Sequence, residues 1–110
     1  QVIDLAASSA APLARGSLFI DRAENAAVLV ARDLPPISDD ERYVVWAQTT
    51  SGDQEFARIG VLVPNSAGTA QLILDPPDLF ERYATLLVTR EPARDDLAQP
   101  TGASILIGGV

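Results

Sequence analysis

The chain has 110 residues with no cysteine, histidine, lysine or methionine, and 15 acidic side chains face 8 arginines for a formal charge of −7. One ordinary-sized domain is expected, able to bury enough surface to fold without staples, and disulfides or zinc sites built from thiolates and imidazoles are excluded. The acidic balance repels phosphate backbones and anionic lipid, so no nucleic acid partner is expected; Arg22, Arg32, Arg42 and Arg58 are scattered and form no stripe.

Gln1-Val2-Ile3 opens within an apolar run and no initiator is present, so a piece of a longer chain is the expectation. Residues 2–5 can form a short first strand. The small, aperiodic run Ala6 to Pro12 reads as a flexible lead-in or loop after it. Residues 1–15 are accordingly read as a lead-in and 16–110 as the domain proper. Ser17 to Asp21 and Ala26 to Arg32 flank the polar turn Glu24-Asn25 and predict a hairpin.

Leu34-Pro35-Pro36 ends that strand, since proline cannot donate to a ladder, and Ser38 to Glu41 reads as a solvated loop. Arg42 to Thr49 is the clearest strand, rich in aromatic and β-branched residues and carrying the sole tryptophan. Its apolar residues fall on both parities, which predicts a central strand covered on both faces. Ser51-Gly52-Asp53 turns the chain into a partner strand at 56–63. A tight turn at 65–68 leads to an alternating strand at 69–74.

Asp75-Pro76-Pro77 breaks the pattern, and 78–82 can make one helical turn capped by Asp78. Tyr83 to Glu91 is a further strand, 92–102 a long polar loop, and Ser104 to Ile107 a last strand. Seven or eight short strands with regularly spaced turns predict an all-β, two-sheet antiparallel β-sandwich, Ig-like, with a partly open β-barrel as the alternative. No run reaches the length of a membrane span, so any signal or membrane helix would lie outside these residues.

Catalytic chemistry is hard to assemble from this inventory, and an enzyme is not expected. Ser-His, Cys-His and Ser-Lys pairs all lack a member. Ser8, Ser9, Ser17, Ser38, Ser51, Ser66 and Ser104 read as turn and linker serines. The acids Asp39-Asp40-Glu41, Asp75 with Asp78, and Asp95-Asp96 could serve a paired-carboxylate glycosidase or a calcium site. They flank turns and lack the alternating spacing of a calcium loop, so solvated loop acids are the expectation and no metal or cofactor is assigned. Gly108-Gly109 opens no phosphate-binding helix. Tyr43 and Trp46 could offer a sugar-stacking platform, but a single tryptophan on a central strand is expected in the core. Glu91 is expected to accept hydrogen bonds from the backbone of the loop that follows it.

Leu34-Pro35-Pro36 with Tyr43-Val44-Val45-Trp46, the run opening at Gly60, and Gly68-Thr69-Ala70 follow one another in an order that resembles the anti-sigma-K factor family. So do Val88-Thr89-Arg90-Glu91-Pro92, Pro100-Thr101-Gly102 and Ile105-Leu106-Ile107-Gly108 at the end. The motif positions Leu34, Pro35, Tyr43, Trp46, Gly60, Thr89, Glu91, Pro92, Pro100, Thr101 and Gly102 are expected to be structural.

The resemblance implies the outer, extracytoplasmic domain of a membrane-anchored bacterial anti-sigma factor. A cytoplasmic domain outside these residues would hold the sigma factor. A site-1 protease and then an intramembrane protease would release it, and residues 1–15 would lie nearest the membrane. One departure is the run Pro92 to Ala98, where the family commonly has glycines. The alternatives are a carbohydrate- or peptide-binding module of an exported protein, or an Ig-like spacer whose exposed edge strands pair two copies as a homodimer.

Overall fold

The computed structural model describes residues 2–21, 23–24, 26–49, 56–74, 83–93 and 100–109. Within them the chain forms β1 (Val2–Ala7), β2 (Arg15–Asp21), β3 (Ala26–Arg32), β4 (Glu41–Thr49), β5 (Phe56–Leu62), β6 (Ala70–Leu74), β7 (Tyr83–Pro92) and β8 (Ala103–Gly109). No helix is present among the described residues. The turns expected at 51–53 and 75–77, and the helical turn at 78–82, lie outside the described residues.

Every strand pairing is antiparallel, and the eight strands follow the order β5-β4-β7-β8-β1-β2-β3-β6. This single sheet folds over itself into two layers. The front layer is β1, β2, β3 and β6; the back layer is β5, β4, β7 and β8. They are joined through β1, whose residues 2–5 pair with β2 while Ala6 and Ala7 pair with β8. The all-β fold is thus a two-layered, nearly closed barrel, and the expected sandwich and open barrel describe one object.

The corner in β1 has a local cause. Leu5 lies against two glycines: a methyl group on Gly16 would come within 3.2 Å of Leu5 Cβ, and one on Gly108 within 2.9 Å of Leu5 Cγ. Glycine in a strand interior lets a neighbouring backbone approach closely. The missing side chains let β1 cross from one layer to the other with Leu5 pointing into the core.

Strand alternation places the core between the layers. Leu18 and Ile20 of β2, and Ala27, Leu29 and Ala31 of β3, are buried, while Phe19 and Asp21 point outward. Tyr43 through Ala47 are all fully buried. Tyr43, Val45 and Ala47 join the main core; Val44 and Trp46 join Leu87 and the half-buried Phe56 in a second cluster. The parity of β4 therefore has its expected consequence, a strand covered on both faces.

Several boundaries differ from the sequence reading. β1 extends to Ala7, and the run after it is docked to the sheet end: Ser8 N–H donates to the Ile105 carbonyl at 3.1 Å, and Ala11 and Ala14 are buried. Ser17 and Ser104, grouped with the turn and linker serines, stand in β2 and β8, within the strands expected at 17–21 and 104–107. Gly16 begins within β2 because it pairs with Ala31, and Glu41 enters β4 because it pairs with Pro92. Proline is tolerated there, at the last position of β7.

Candidate functional site

Val44 and Trp46 face away from the main core, so something other than the front layer must cover them. Leu87 and Phe56 pack with them, and the segment at 100–102 returns to the side of β7. Thr89 and Glu91 lie on the same outward parity of β7, are 0% and 1% exposed, and stand where β7 runs beside β4. The Trp46 indole N–H donates to Thr89 Oγ1 at 2.9 Å, and the Thr89 hydroxyl donates to Glu91 Oε2 at 2.5 Å.

Glu91 is the hub. The Thr101 amide donates to its Oε1 at 3.2 Å and its Oε2 at 3.0 Å; the Thr101 hydroxyl donates to Oε1 at 2.5 Å and the Gly102 amide to Oε2 at 3.0 Å. A buried carboxylate is tolerated only when hydrogen bonds replace its lost water. Burial by itself pushes this carboxyl up. The hydroxyls of Thr101 and Thr89, with the amides of Gly102 and Thr101, outweigh burial and hold it below its ordinary value. No described buried side-chain polar atom is left without a partner.

Gly102 is fixed by sterics. A methyl group at this position would sit 1.7 Å from the Arg90 carbonyl oxygen, which requires the backbone to move. Glycine is therefore the residue that lets the 100–102 segment lie against β7 with its amides aimed at Glu91. Pro100, half-buried, precedes this contact, and Pro92 closes β7 on its other side.

A second group of motif residues gathers around Tyr43. Its ring is fully buried and its hydroxyl donates to the Pro35 carbonyl. Burial, the largest influence, raises the Tyr43 pKa, Arg90 opposes it and Glu41 adds to it. Leu34 is buried, and its amide donates to the Gly68 carbonyl at 3.0 Å, tying the segment after β3 to the turn between β5 and β6. That turn is organised by Asn65, whose side chain accepts from the amides of Ala67 and Thr69.

Around these segments lies an open hollow of about 900 Å³, rimmed by the exposed Leu13 and Val63 and by Pro36 and Ile37. Gly60 stands apart, on β5, where a methyl group would meet Leu72 of β6 at 2.8 Å. It brings the two end strands of the sheet side by side.

Eight of the motif positions thus fall into two clusters: Trp46, Thr89, Glu91, Thr101 and Gly102 in one, Leu34, Pro35 and Tyr43 in the other. Asp33 (φ 55°) and Gly68 (φ 78°), which carry the backbone through the second cluster, were not singled out as site residues. The pairing of Arg15 with Arg32 across β2 and β3 was also missed, because it depends on register.

The stacking platform is not built from Tyr43 and Trp46, which have no exposed face. Among the described residues no group of three acids, histidines or cysteines could hold a metal ion. Asp75, Asp78, Asp95 and Asp96 lie outside the described residues, as does most of the run that departs from the family. No described helix is long and apolar enough to cross a membrane.

The class defined by these features is an all-β domain whose buried polar groups bind its own loops. The family model for the C-terminal part of the anti-sigma-K factor RskA matches residues 1–104, and the chain belongs to that family. It is a family of membrane-associated anti-sigma factors, regulators whose partner is a sigma factor. No curated protein and no solved structure matches the chain significantly.

Proposed function

We propose that this domain is the extracytoplasmic regulatory module of a membrane-anchored anti-sigma factor, without catalytic activity, and that its folded state restrains proteolytic release of the sigma factor. The observation that carries the reading is the family match over residues 1–104. In this arrangement a membrane helix precedes residues 1–15, and a sigma-binding domain lies on the far side of the membrane. A site-1 protease cuts near the membrane and an intramembrane protease follows.

The fold supplies a physical reason for restraint. Proteases act on extended, locally unfolded segments. β1 is bonded on one side to β2 and on the other to β8, so exposing it breaks the sheet at its middle, not at an edge. Cleavage near the membrane is then coupled to opening of the whole domain. In cells carrying the full-length protein, Trp46→Ala is expected to raise both the cleavage product and transcription from sigma-dependent promoters. Unchanged cleavage and transcription, with the variant domain shown to be destabilised, would sink the guard mechanism.

A further inference from the structure

The outer face of the front layer carries an ordered surface that the regulatory reading does not use. Strand register aligns Val2, Phe19, Val28 and Ile73 across β1, β2, β3 and β6 in one row. Val2 is 58%, Phe19 44% and Ile73 72% exposed, so three of these four apolar side chains stand in water. Val30 extends the apolar surface one row along β3, beside Ser17.

The two ends of this face are charged in opposite senses. Toward one end Arg15 and Arg32 are directly opposed across β2 and β3, both exposed. Like charges so placed destabilise a sheet, and among the described residues no hydrogen bond or ion pair engages either guanidinium. Toward the other end, Asp21 closes β2 and Glu24 follows in the turn. One carboxylate oxygen of Asp21 caps the amides of Ala23 and Glu24. From the basic end to the apolar row runs a concavity of about 480 Å³ bordered by Arg15, Arg32, Asp4, Ser17, Phe19 and Val30.

Acid, apolar and basic zones in this sequence along two adjacent strands make a self-complementary surface. A two-fold axis lying between two facing copies, perpendicular to the strands at the level midway between Ser17 and Phe19, reverses strand direction. It lays Asp21 of one copy over Arg15 of the other, twice, with Glu24 in the turn just beyond, and sets the two apolar rows side by side about 7 Å apart, each over the Ser17–Val30 row of the partner. Such an isologous contact closes on itself.

We propose that this face is a homodimer interface, formed front layer to front layer, with a second copy of this chain as its occupant. Its extent, roughly 19 Å across four strands and about 20 Å along them, is about 380 Å² per copy, below the standard size of specific interfaces and in the range of weak, transient contacts. Each copy also carries a formal −7, so association is weak and reversible. It concerns a face, in contrast to pairing through edge strands, and does not depend on the anti-sigma reading.

Sedimentation velocity of the domain from micromolar to millimolar concentration is expected to show a monomer–dimer equilibrium. Phe19→Asp with Ile73→Asp, both on exposed positions, should abolish it while leaving the circular dichroism spectrum unchanged. The chain has no cysteine, which permits a geometric check. In the two-fold arrangement, copies of residue 17 are offset by only about 7 Å along the strand and copies of residue 26 by about 20 Å. A short bismaleimide should therefore join Ser17→Cys chains and not Ala26→Cys chains. A strictly monomeric profile at millimolar concentration overturns the proposal. So does a dimer that survives the double aspartate variant, or one in which Ala26→Cys crosslinks and Ser17→Cys does not.

Discussion

The outward faces of the two layers are built from similar strands and end in opposite conditions. On the back layer, Val44 and Trp46 are fully buried with Leu87 and Phe56, and Trp46 is linked through Thr89 to Glu91, which holds the 100–102 segment. On the front layer, Phe19 and Ile73 stay in water and Arg15 stands opposite Arg32. Apolar side chains on an outer face can be covered by the chain itself or left for a partner. The covered face carries a buried hydrogen-bond acceptor, Glu91.

The contrast can be broken most forcefully at Trp46. Trp46→Ala removes the largest side chain of the covered face and the indole donor to Thr89, and it should cost ~3–5 kcal/mol in urea unfolding. Glu91→Gln tests the hub more selectively, since the new amide nitrogen would confront donors from Thr89, Thr101 and Gly102. A loss of roughly 2–3 kcal/mol is expected, with earlier amide exchange at residues 101 and 102 as the local signature. Retained stability would show that the carboxylate does not hold the loop.

Acid titration sharpens the same point. The Glu91 carboxyl is held below its ordinary value in the folded chain, so its contribution is present above the unfolded pKa. That contribution is lost as pH falls through the lower folded pKa. Wild-type stability should therefore drop on acidification through and below the ordinary carboxylate range, and the Glu91→Gln variant should show a shallower drop. Equal slopes would remove Glu91 as a cause.

Smaller effects separate the remaining regions. Tyr43→Phe removes one hydrogen bond to the Pro35 carbonyl and should cost about 1 kcal/mol, read in the midpoint of denaturant unfolding. Phe19→Ser on the open face should change stability by less than about 0.5 kcal/mol. A large loss there would mean that the front face is structurally necessary and not reserved for a partner.

Much of the fold was legible because it depends on local pattern. Alternation in 17–21 and 26–32, the prolines after Leu34, and the polar turn at 65–68 mark strands and breaks at their own positions. The buried state of Trp46 followed from apolar residues on both parities of one strand. Less legible were the strand ends at Gly16 and Glu41, since a pairing partner distant in sequence extends the strand there. Ser17 and Ser104 were placed at the starts of strands and also grouped with the turn serines; the ladders make them strand residues.

Sequence alone determined the all-β character, the lack of thiol and imidazole chemistry, and the family, since composition, periodicity and motif order are properties of the string. Tertiary structure decided which segments meet. It set β1 between β8 and β2, so that the two ends of the chain share one sheet. It brought Thr101 and Gly102 onto Glu91 and opposed Arg15 to Arg32. Those contacts depend on register and closure, which are fixed only when the core packs as a whole.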